Sequence, residues 1–429
     1  MALIAKRPKG VADVVPADSH KWHTVEKLTA ETAETYGFGE IRIPTFEYTK
    51  LFVRSVGDTT DVVQKEMYQV STKGDAEYSL RPEGTAGTLR AVIENGLLNE
   101  KLPQKLYYFV SCFRHEKNQK GRFREHHQFG CELIGSADPT AEAELISLAK
   151  SVLTRAGIGN VTLNINSIGC PDCRVQYQNA LKEFLAPHYE ALCETCKTRY
   201  ERNPMRIVDC KSEICAELVK GAPCILDYIC DDCKAHFSAV QGHLAALGIA
   251  FEINPKIVRG LDYYTKTVFE FVLTAPEGNL TVCAGGRYDG LIESLGGAPT
   301  PALGFGMGLE RLIMTMEAQG CDFLAPKTCD IYLGSTDAQT RIKAAALAAA
   351  LRAEGYWAEY DIAGRGLKAQ LKYADKIHAK YSLVLGSNEL ESGMVQIKNM
   401  ESGEKTEVSL GEKFIDGFSN LIVADLFGE

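Results

Sequence analysis

Apolar and polar positions along the chain fall into two rhythms. Between residues 20 and 36, Trp22, Val25, Leu28 and Ala33 share one side at helical spacing, and Gly37 stops the run. Ile41-Arg42-Ile43 alternates and ends at Pro44, which predicts a strand. The spacing predicts a helix over 85–95, then a strand over 106–113 rich in aromatic and β-branched residues. A polar connection over 114–124 and a second strand over 125–135 complete a hairpin with a long basic loop. Strand-like sequence returns at 257–273, placing Tyr263 and Tyr264 in a strand, and again at 280–284. Gly-rich turns follow, then 303–308 runs into a helix over 309–319. The pattern is α+β: a mostly antiparallel sheet with helices and a large insert between its strands. Beyond Pro326 it changes to strand 330–333, helix 336–354, strand 357–360, helix 367–377 and strand 381–385, which reads as a small α/β domain with a mixed sheet.

The chain has 429 residues, too many for one compact core, so two or three domains are expected. Hydrophobic residues at 45 % and charged residues at 24 % exclude collagenous and disordered classes. No apolar run is long enough to cross a bilayer, and MALIAKRPKG is too poor in apolar residues for a secretory signal, so cytoplasm is the expected location. A net charge of −9 argues against gripping nucleic acid over the whole surface. It leaves room for a local basic site, and Arg114, Lys117, Lys120, Arg122 and Arg124 stand against the single acid Glu116 between residues 114 and 124.

The usual nucleotide-binding loops are missing. There is no GxxxxGK[ST] and no GxGxxG between strand and helix, so arginines must hold any bound triphosphate. Phe113-Arg114-His115-Glu116 with Gly121-Arg122-Phe123-Arg124 resembles the second signature motif of class II aminoacyl-tRNA synthetases, and Gly304 to Arg311, ending Gly-Leu-Glu-Arg, resembles the third. Within that class, Val258-Arg259-Gly260-Leu261-Asp262-Tyr263-Tyr264 and Ala284-Gly285-Gly286-Arg287-Tyr288-Asp289 resemble the histidine-specific family. So do Arg7-Pro8-Lys9-Gly10 and Leu80-Arg81-Pro82-Glu83-Gly84-Thr85. A lone GLER would mean little, whereas six matches in the family's order span nearly the whole chain.

The resemblance implies a class II catalytic domain over 1–325, with an insertion at about 169–248, and an anticodon-binding domain over 328–429. Gly366 to Asp375 matches the latter well. It also implies activation of histidine by ATP with Mg2+, transfer to tRNA(His), a homodimer whose contact includes residues 43–48, and no membrane. The substrate carboxylate is itself the nucleophile, so the protein must align reactants and stabilise phosphate charge, and arginine suits that task. Arg114 and Arg259 are implied as the catalytic pair on the α-phosphate. Arg122 and Arg311 are implied at the outer phosphates and Glu116 at the adenine amino group. His126 stands where the family commonly has phenylalanine against adenine, a replacement that brings pH dependence with it. Glu83, Thr85 and Gln128 are implied acceptors for the α-ammonium. A neutral imidazole offers one donor and one acceptor, for which Glu132 and Tyr264 are the complements, with Tyr263 and Tyr288 beside them. In the basic loop, Gln119 is implied at the extra 5′ guanosine of the RNA, with Lys117 and Lys120 on phosphate.

Two competing readings share parts of this pattern. A catalytically dead paralogue that regulates ATP phosphoribosyltransferase typically lacks both the terminal domain and the intact Arg-Gly-Leu-Asp-Tyr-Tyr stretch, and this chain has both. A regulatory module that only binds uncharged RNA has no need to keep Arg114, Arg259 and Arg311 together.

Most of the fourteen cysteines crowd into the insert as Cys170-x-x-Cys173, Cys193-x-x-Cys196 and Cys230-x-x-Cys233, with Cys210, Cys215 and Cys224. Paired CxxC spacing suits one or two structural zinc ions. Cys170, Cys173, Cys230 and Cys233 would tie the insert's ends together, and Cys193, Cys196, Cys210 and Cys215 make a second set. The plain alternative is reduced, buried cysteines; no thioredoxin-like context favours a redox CxxC.

Overall fold

The computed structural model describes residues 4–57, 60–116, 121–210, 212–274 and 279–427. The chain divides into one compact unit ending at Leu324 and a second beginning at Ala325.

The first unit is built on an eight-stranded sheet. Its strands run, edge to edge, Gly39–Glu40, Gln104–Phe113, Glu125–Ile134, Ala302–Gly308, Leu280–Arg287, Thr265–Leu273, Val161–Ser167 and Glu252–Ile253. All neighbouring pairs are antiparallel except the two short edge strands. The pleat sends alternate side chains to opposite faces. Phe129, Cys131, Leu133, Phe305 and Met307 face the helices Pro16–Thr35, Thr140–Arg155, Asp231–Ala246 and Leu309–Gln319, sharing a core with Leu145, Val240 and Leu312. The intervening positions His126, Gln128, Gly304, Gly306 and Gly308 line a cavity on the other face. One strand thus seals the core with its odd positions and forms the cavity floor with its even ones.

Two expected strands fall differently. The edge strand is Gly39–Glu40, and residues 41–44 lie outside any ladder. Arg81 donates from Nη1 to the carbonyls of Ile43 and Pro44 at 2.7 and 2.9 Å, so a guanidinium satisfies what a strand would have paired. Residues 257–264 are irregular as well, and the strand starts only at Thr265. Tyr263 and Tyr264 therefore sit on a loop.

The insertion carries helices Pro171–Leu185, Glu194–Arg202 and Glu213–Leu218, joined by 3-10 turns. Tyr177, Leu181, Leu185, Met205, Ile207 and Ile225 form its core together with Cys173, Cys196, Cys215 and Cys233.

In the second unit, Ala358–Tyr360, Ile331–Ser335 and Tyr381–Leu385 pair in parallel, then Met394–Asn399 and Lys405–Ser409 close the sheet antiparallel. Asp337 and Thr340 cap helix Ala338–Ala353 reciprocally. The last hairpin and the helix Phe414–Phe427 lie beyond the predicted elements, although Val395 and Ile397 alternate inward. Among the described residues, no helix is long and apolar enough to cross a membrane.

Candidate active site

A cavity of about 280 Å³ opens on the free face of the large sheet. Arg114, Arg122, Arg259 and Arg311 all line it, with Glu83, Thr85, Glu116, His126, Gln128, Tyr263 and Tyr264. Residues from five separate stretches of chain thus meet in one space. Lys117, Gln119 and Lys120 lie outside the described residues.

Each arginine is held by the fold. Arg114 Nε donates to the Pro82 carbonyl at 2.7 Å. Arg311, in the first turn of helix Leu309–Gln319, donates to the carbonyls of Gly121 and Thr281 at 2.9 and 2.7 Å. Arg122 donates to Glu116 at 3.2 Å. The Arg259 guanidinium binds Glu270 at 2.5 Å and lies 5.3 Å from the Tyr264 ring centre. The four guanidinium groups share the cavity with the lining carboxylates Glu83, Glu116 and Glu310, and their convergence suits a polyanion. Fixed guanidinium forks suit phosphate oxygens.

Beside the arginines stand buried acids. Glu83 accepts from the amides of Thr85 and Ala86 at 2.6 and 2.8 Å, so its carboxylate sits on the N-terminus of helix Thr85–Glu94. Burial pushes its carboxyl above the usual range all the same. Glu132 is fully buried and accepts from the hydroxyls of Thr85 and Tyr108 at 2.8 and 2.9 Å and from the Tyr288 hydroxyl. Burial pushes Glu132 up to about 8, against the pull of those hydroxyls. Glu132 and Tyr288 stand behind the cavity lining, next to Gly304, while Tyr263 and Tyr264 are on it.

The glycines explain how this fits. A Cβ at Gly304 would lie 1.8 Å from Glu132 Oε2, and one at Gly306 would lie 1.6 Å from Gln128 Nε2. Both glycines leave room for a neighbouring strand's polar side chain to lie across the sheet. Tyr108 is similarly seated between Gly84 and Gly130, each of whose Cβ atoms would come 2.3 Å from its ring.

Burial, reinforced by Arg114 and Arg311, pushes the His126 ring down to about 3, a direction that favours its neutral form. As a test of the adenine contact that the resemblance implies, His126→Phe is expected to lower the ATP KM by about 2- to 10-fold. It should leave the pH profile of pyrophosphate exchange unchanged between about pH 5 and 8. A lost inflection in that range would show that His126 titrates.

Sequence reasoning missed Glu270, His127 and Tyr108 as parts of the site's support. Glu270 carried a signal, a lone charge within Phe269-Glu270-Phe271. His127 binds Glu310 through its amide and through Nδ1 at 2.8 Å, and that bond holds its pKa above the usual value. Tyr108 carried no signal beyond being an aromatic in a strand.

In the insertion, the sulfurs of Cys170, Cys173, Cys230 and Cys233 lie within 4.8 Å of one another, and so do those of Cys193, Cys196, Cys210 and Cys215. Both sets have the donor chemistry of a tetrahedral thiolate centre.

Comparison with known proteins shows the family. A family model for histidyl-tRNA synthetase matches residues 10–176 and 223–312, and one for an anticodon-binding domain matches 330–420. The histidine–tRNA ligase of Clostridium novyi is 52 % identical over 421 residues, covering 98 % of this chain and 100 % of that protein. That of Acetivibrio thermocellus is 51 % identical over 408 residues, covering 95 % and 98 %. The crystal structure of apo histidyl-tRNA synthetase from S. aureus superposes with a TM-score of 0.82 at 34 % identity, covering 97 % of this chain and 100 % of that one. The chain therefore belongs to the histidyl-tRNA synthetase family, the ATP-dependent ligases that join histidine to its transfer RNA.

Proposed function

We propose that both steps of the ligase reaction run in the arginine-lined cavity. The observation that carries this reading is that Arg114, Arg122, Arg259 and Arg311 share one space with Glu83, Gln128, Tyr263 and Tyr264. A histidine carboxylate oxygen attacks the α-phosphorus of ATP, the bond to the bridging oxygen breaks, and pyrophosphate leaves with that electron pair. Arg114 and Arg259 hold the α-phosphate from opposite sides and Arg122 and Arg311 hold the outer phosphates, so growing charge meets donors already in place. Magnesium accompanying ATP would neutralise charge on the phosphates, and Glu310 is the cavity carboxylate that would help hold it. Glu116 reads the adenine amino group, and His126 and Arg311 lie against the base. In the second step a hydroxyl of the RNA's terminal ribose attacks the activated carbonyl, and AMP leaves.

Glu83, Thr85 and Gln128 take the α-ammonium. Tyr264 serves one imidazole nitrogen and Glu132 the other. In its ionised form Glu132 offers about four acceptor positions, of which the hydroxyls of Thr85, Tyr108 and Tyr288 use three; a ring N–H donating to the fourth favours ionisation, against the burial that pushes the carboxyl up to about 8. Glu132→Gln is expected to raise the histidine KM by about 10- to 100-fold, the worth of a bond to a charged group. It should also erase an inflection near pH 8 in that KM, because Glu132 ionises there. An unchanged KM would take Glu132 out of the pocket.

We assign the extra 5′ guanosine to Gln119 and RNA phosphate to Lys117 and Lys120, with the second unit on the anticodon. The enzyme works in the cytoplasm as a homodimer, joined through the segment around residues 43–48. Supporting this, Phe46 and Tyr48 are 54 % and 51 % exposed and pack on Tyr78, an aromatic surface that a partner would cover. The double variant Phe46→Glu, Tyr48→Glu should run as a monomer in light scattering; a persisting dimer would put the contact elsewhere.

The reading as a whole is tested by ATP–pyrophosphate exchange. Exchange should depend on histidine and on no other standard amino acid, and exchange driven by another amino acid would overturn it.

A further inference from the structure

The three helices that carry the CxxC pairs begin in the same way. Cys170 is the residue before helix Pro171–Leu185, Cys193 precedes Glu194–Arg202 and Cys230 precedes Asp231–Ala246. In each case the second cysteine of the CxxC lies in the first turn. Helix N-termini favour negative charge, so this placement suits thiolates over neutral thiols. Backbone amides point at the sulfurs as well: Cys230 N donates to Cys173 Sγ at 3.1 Å and Cys193 N to Cys215 Sγ at 3.3 Å.

The spacing fits a metal centre. Four sulfurs about 2.3 Å from a tetrahedral zinc stand about 3.8 Å apart. Cys170 and Cys173 are 3.4 Å apart, Cys193 and Cys210 3.9 Å, and each full set lies within 4.8 Å. The second set falls within 177–222, between the two segments that match the synthetase family model. Its surroundings are short helices and 3-10 turns with a small core, the kind of segment that a metal commonly stabilises.

Both sets connect to the active site. Arg174, one residue past Cys173, donates from Nη1 to the carbonyls of Asp262 and Tyr264 at 3.2 and 3.1 Å. From the neighbourhood of the second set, Arg206 Nη1 donates to the Arg259 carbonyl at 3.0 Å, and Asn203 Nδ2 to Asp262 Oδ1 at 2.9 Å. These bonds hold the irregular stretch that carries Arg259, Tyr263 and Tyr264.

We propose that the two cysteine sets are structural zinc sites that act as positioning elements for the Arg259–Tyr264 loop. Each ion anchors a helix start or turn. From there Arg174 on one side, and Arg206 with Asn203 on the other, grip the loop backbone, so the zinc sites set the orientation of groups assigned above to phosphate and imidazole. The inference rests on that assignment for its effect on activity, but not for the presence of metal.

The test uses the full chain, expressed with zinc and purified without chelator. Elemental analysis should find about two zinc per chain. Cys193→Ser and Cys230→Ser should each retain about one, and Cys230→His should restore the second ion together with the activity, since histidine is also a zinc ligand. Arg174→Ala and Arg206→Ala should keep both ions yet lower kcat for histidine-dependent pyrophosphate exchange by up to about 10²-fold, as expected when catalytic groups shift slightly. Cobalt substitution should give the absorption of a tetrahedral thiolate centre. Zinc below about 0.1 per chain, stoichiometric iron in its place, or disulfides within either set would overturn the metal assignment. Two zinc ions with unchanged kcat in both arginine variants would overturn the positioning role. Wild-type exchange that remains specific for histidine in either case keeps the ligase reading separate.

Discussion

Arg259→Ala is expected to slow histidyl-adenylate formation by about 10³- to 10⁵-fold, the range seen when an arginine that stabilises transferring phosphate is lost. Several observations make Arg259 the arginine to test first. It comes from the loop before strand Thr265–Leu273, on a different part of the chain from Arg114 and Arg311, and is assigned to the opposite side of the α-phosphate. Its Nη1 is committed to Glu270, while its buried Nε has no hydrogen-bond partner among the described residues. A buried donor without a partner is costly, and a phosphate oxygen would satisfy it. The guanidinium also lies over Tyr264, so its loss loosens the histidine side of the pocket. Arg259→Lys keeps the charge but loses the fork, and should recover only part of the rate. Single-turnover adenylate formation separates chemistry from binding, and a denaturation midpoint close to wild type shows that the fold survives. Near-normal exchange in Arg259→Ala would remove this residue from the mechanism.

Elements whose hydrogen bonds are local were legible in the chain, and those satisfied from afar were not. The run from Leu303 into helix Leu309–Gln319 could be read because its alternation of glycine with Phe305 and Met307 matches a pleat with one apolar face. Each CxxC could be read as one half of a thiolate centre because its spacing is a local geometry, whereas which cysteines it meets is set by the fold. Residues 41–43 look like a strand, but Arg81, nearly forty residues on, takes the carbonyl of Ile43. The 257–264 stretch is rich in strand formers, yet its backbone is held by Arg174 and Arg206 of the insertion, which no periodicity reveals. The same reason hid the depth of Glu132. It accepts from hydroxyls of Thr85, Tyr108 and Tyr288, three places in the chain whose meeting is a property of the sheet order.

The largest stability effect is expected at Glu142, which lies outside the cavity. Arg287, in the Gly-Gly-Arg-Tyr-Asp run, has a fully buried side chain, and its Nε and Nη2 bind the two oxygens of Glu142 at 2.7 and 2.6 Å. His236 reaches the same carboxylate at 2.7 Å, and Arg287 also donates to the Ser136 carbonyl at 2.8 Å. The network therefore ties strand Leu280–Arg287 to helices Thr140–Arg155 and Asp231–Ala246. Glu142→Ala leaves an arginine that cannot give up its charge without its main counter-charge in the interior, which costs about 3–5 kcal/mol. Replacing both partners, Glu142→Leu with Arg287→Met, should recover most of that loss, because the cost lies in the unpaired ion more than in the missing attraction. Burial pushes the Glu142 carboxyl up, but Arg287 and His236 outweigh it and hold it below its usual 4.5. The folded chain thus binds this proton less readily than the unfolded one. The stabilisation is complete above the unfolded value and is lost as pH falls through the folded one. Urea midpoints measured across that acid range should converge for wild type and Glu142→Ala as the pH drops. Parallel curves would mean that the pair contributes packing rather than charge. Tyr288 follows Arg287 directly and bonds Glu132, so the single variant should also raise the histidine KM while leaving that for ATP nearly unchanged. That split distinguishes a displaced strand end from general unfolding, because partial unfolding would lower the active fraction without separating the two substrates.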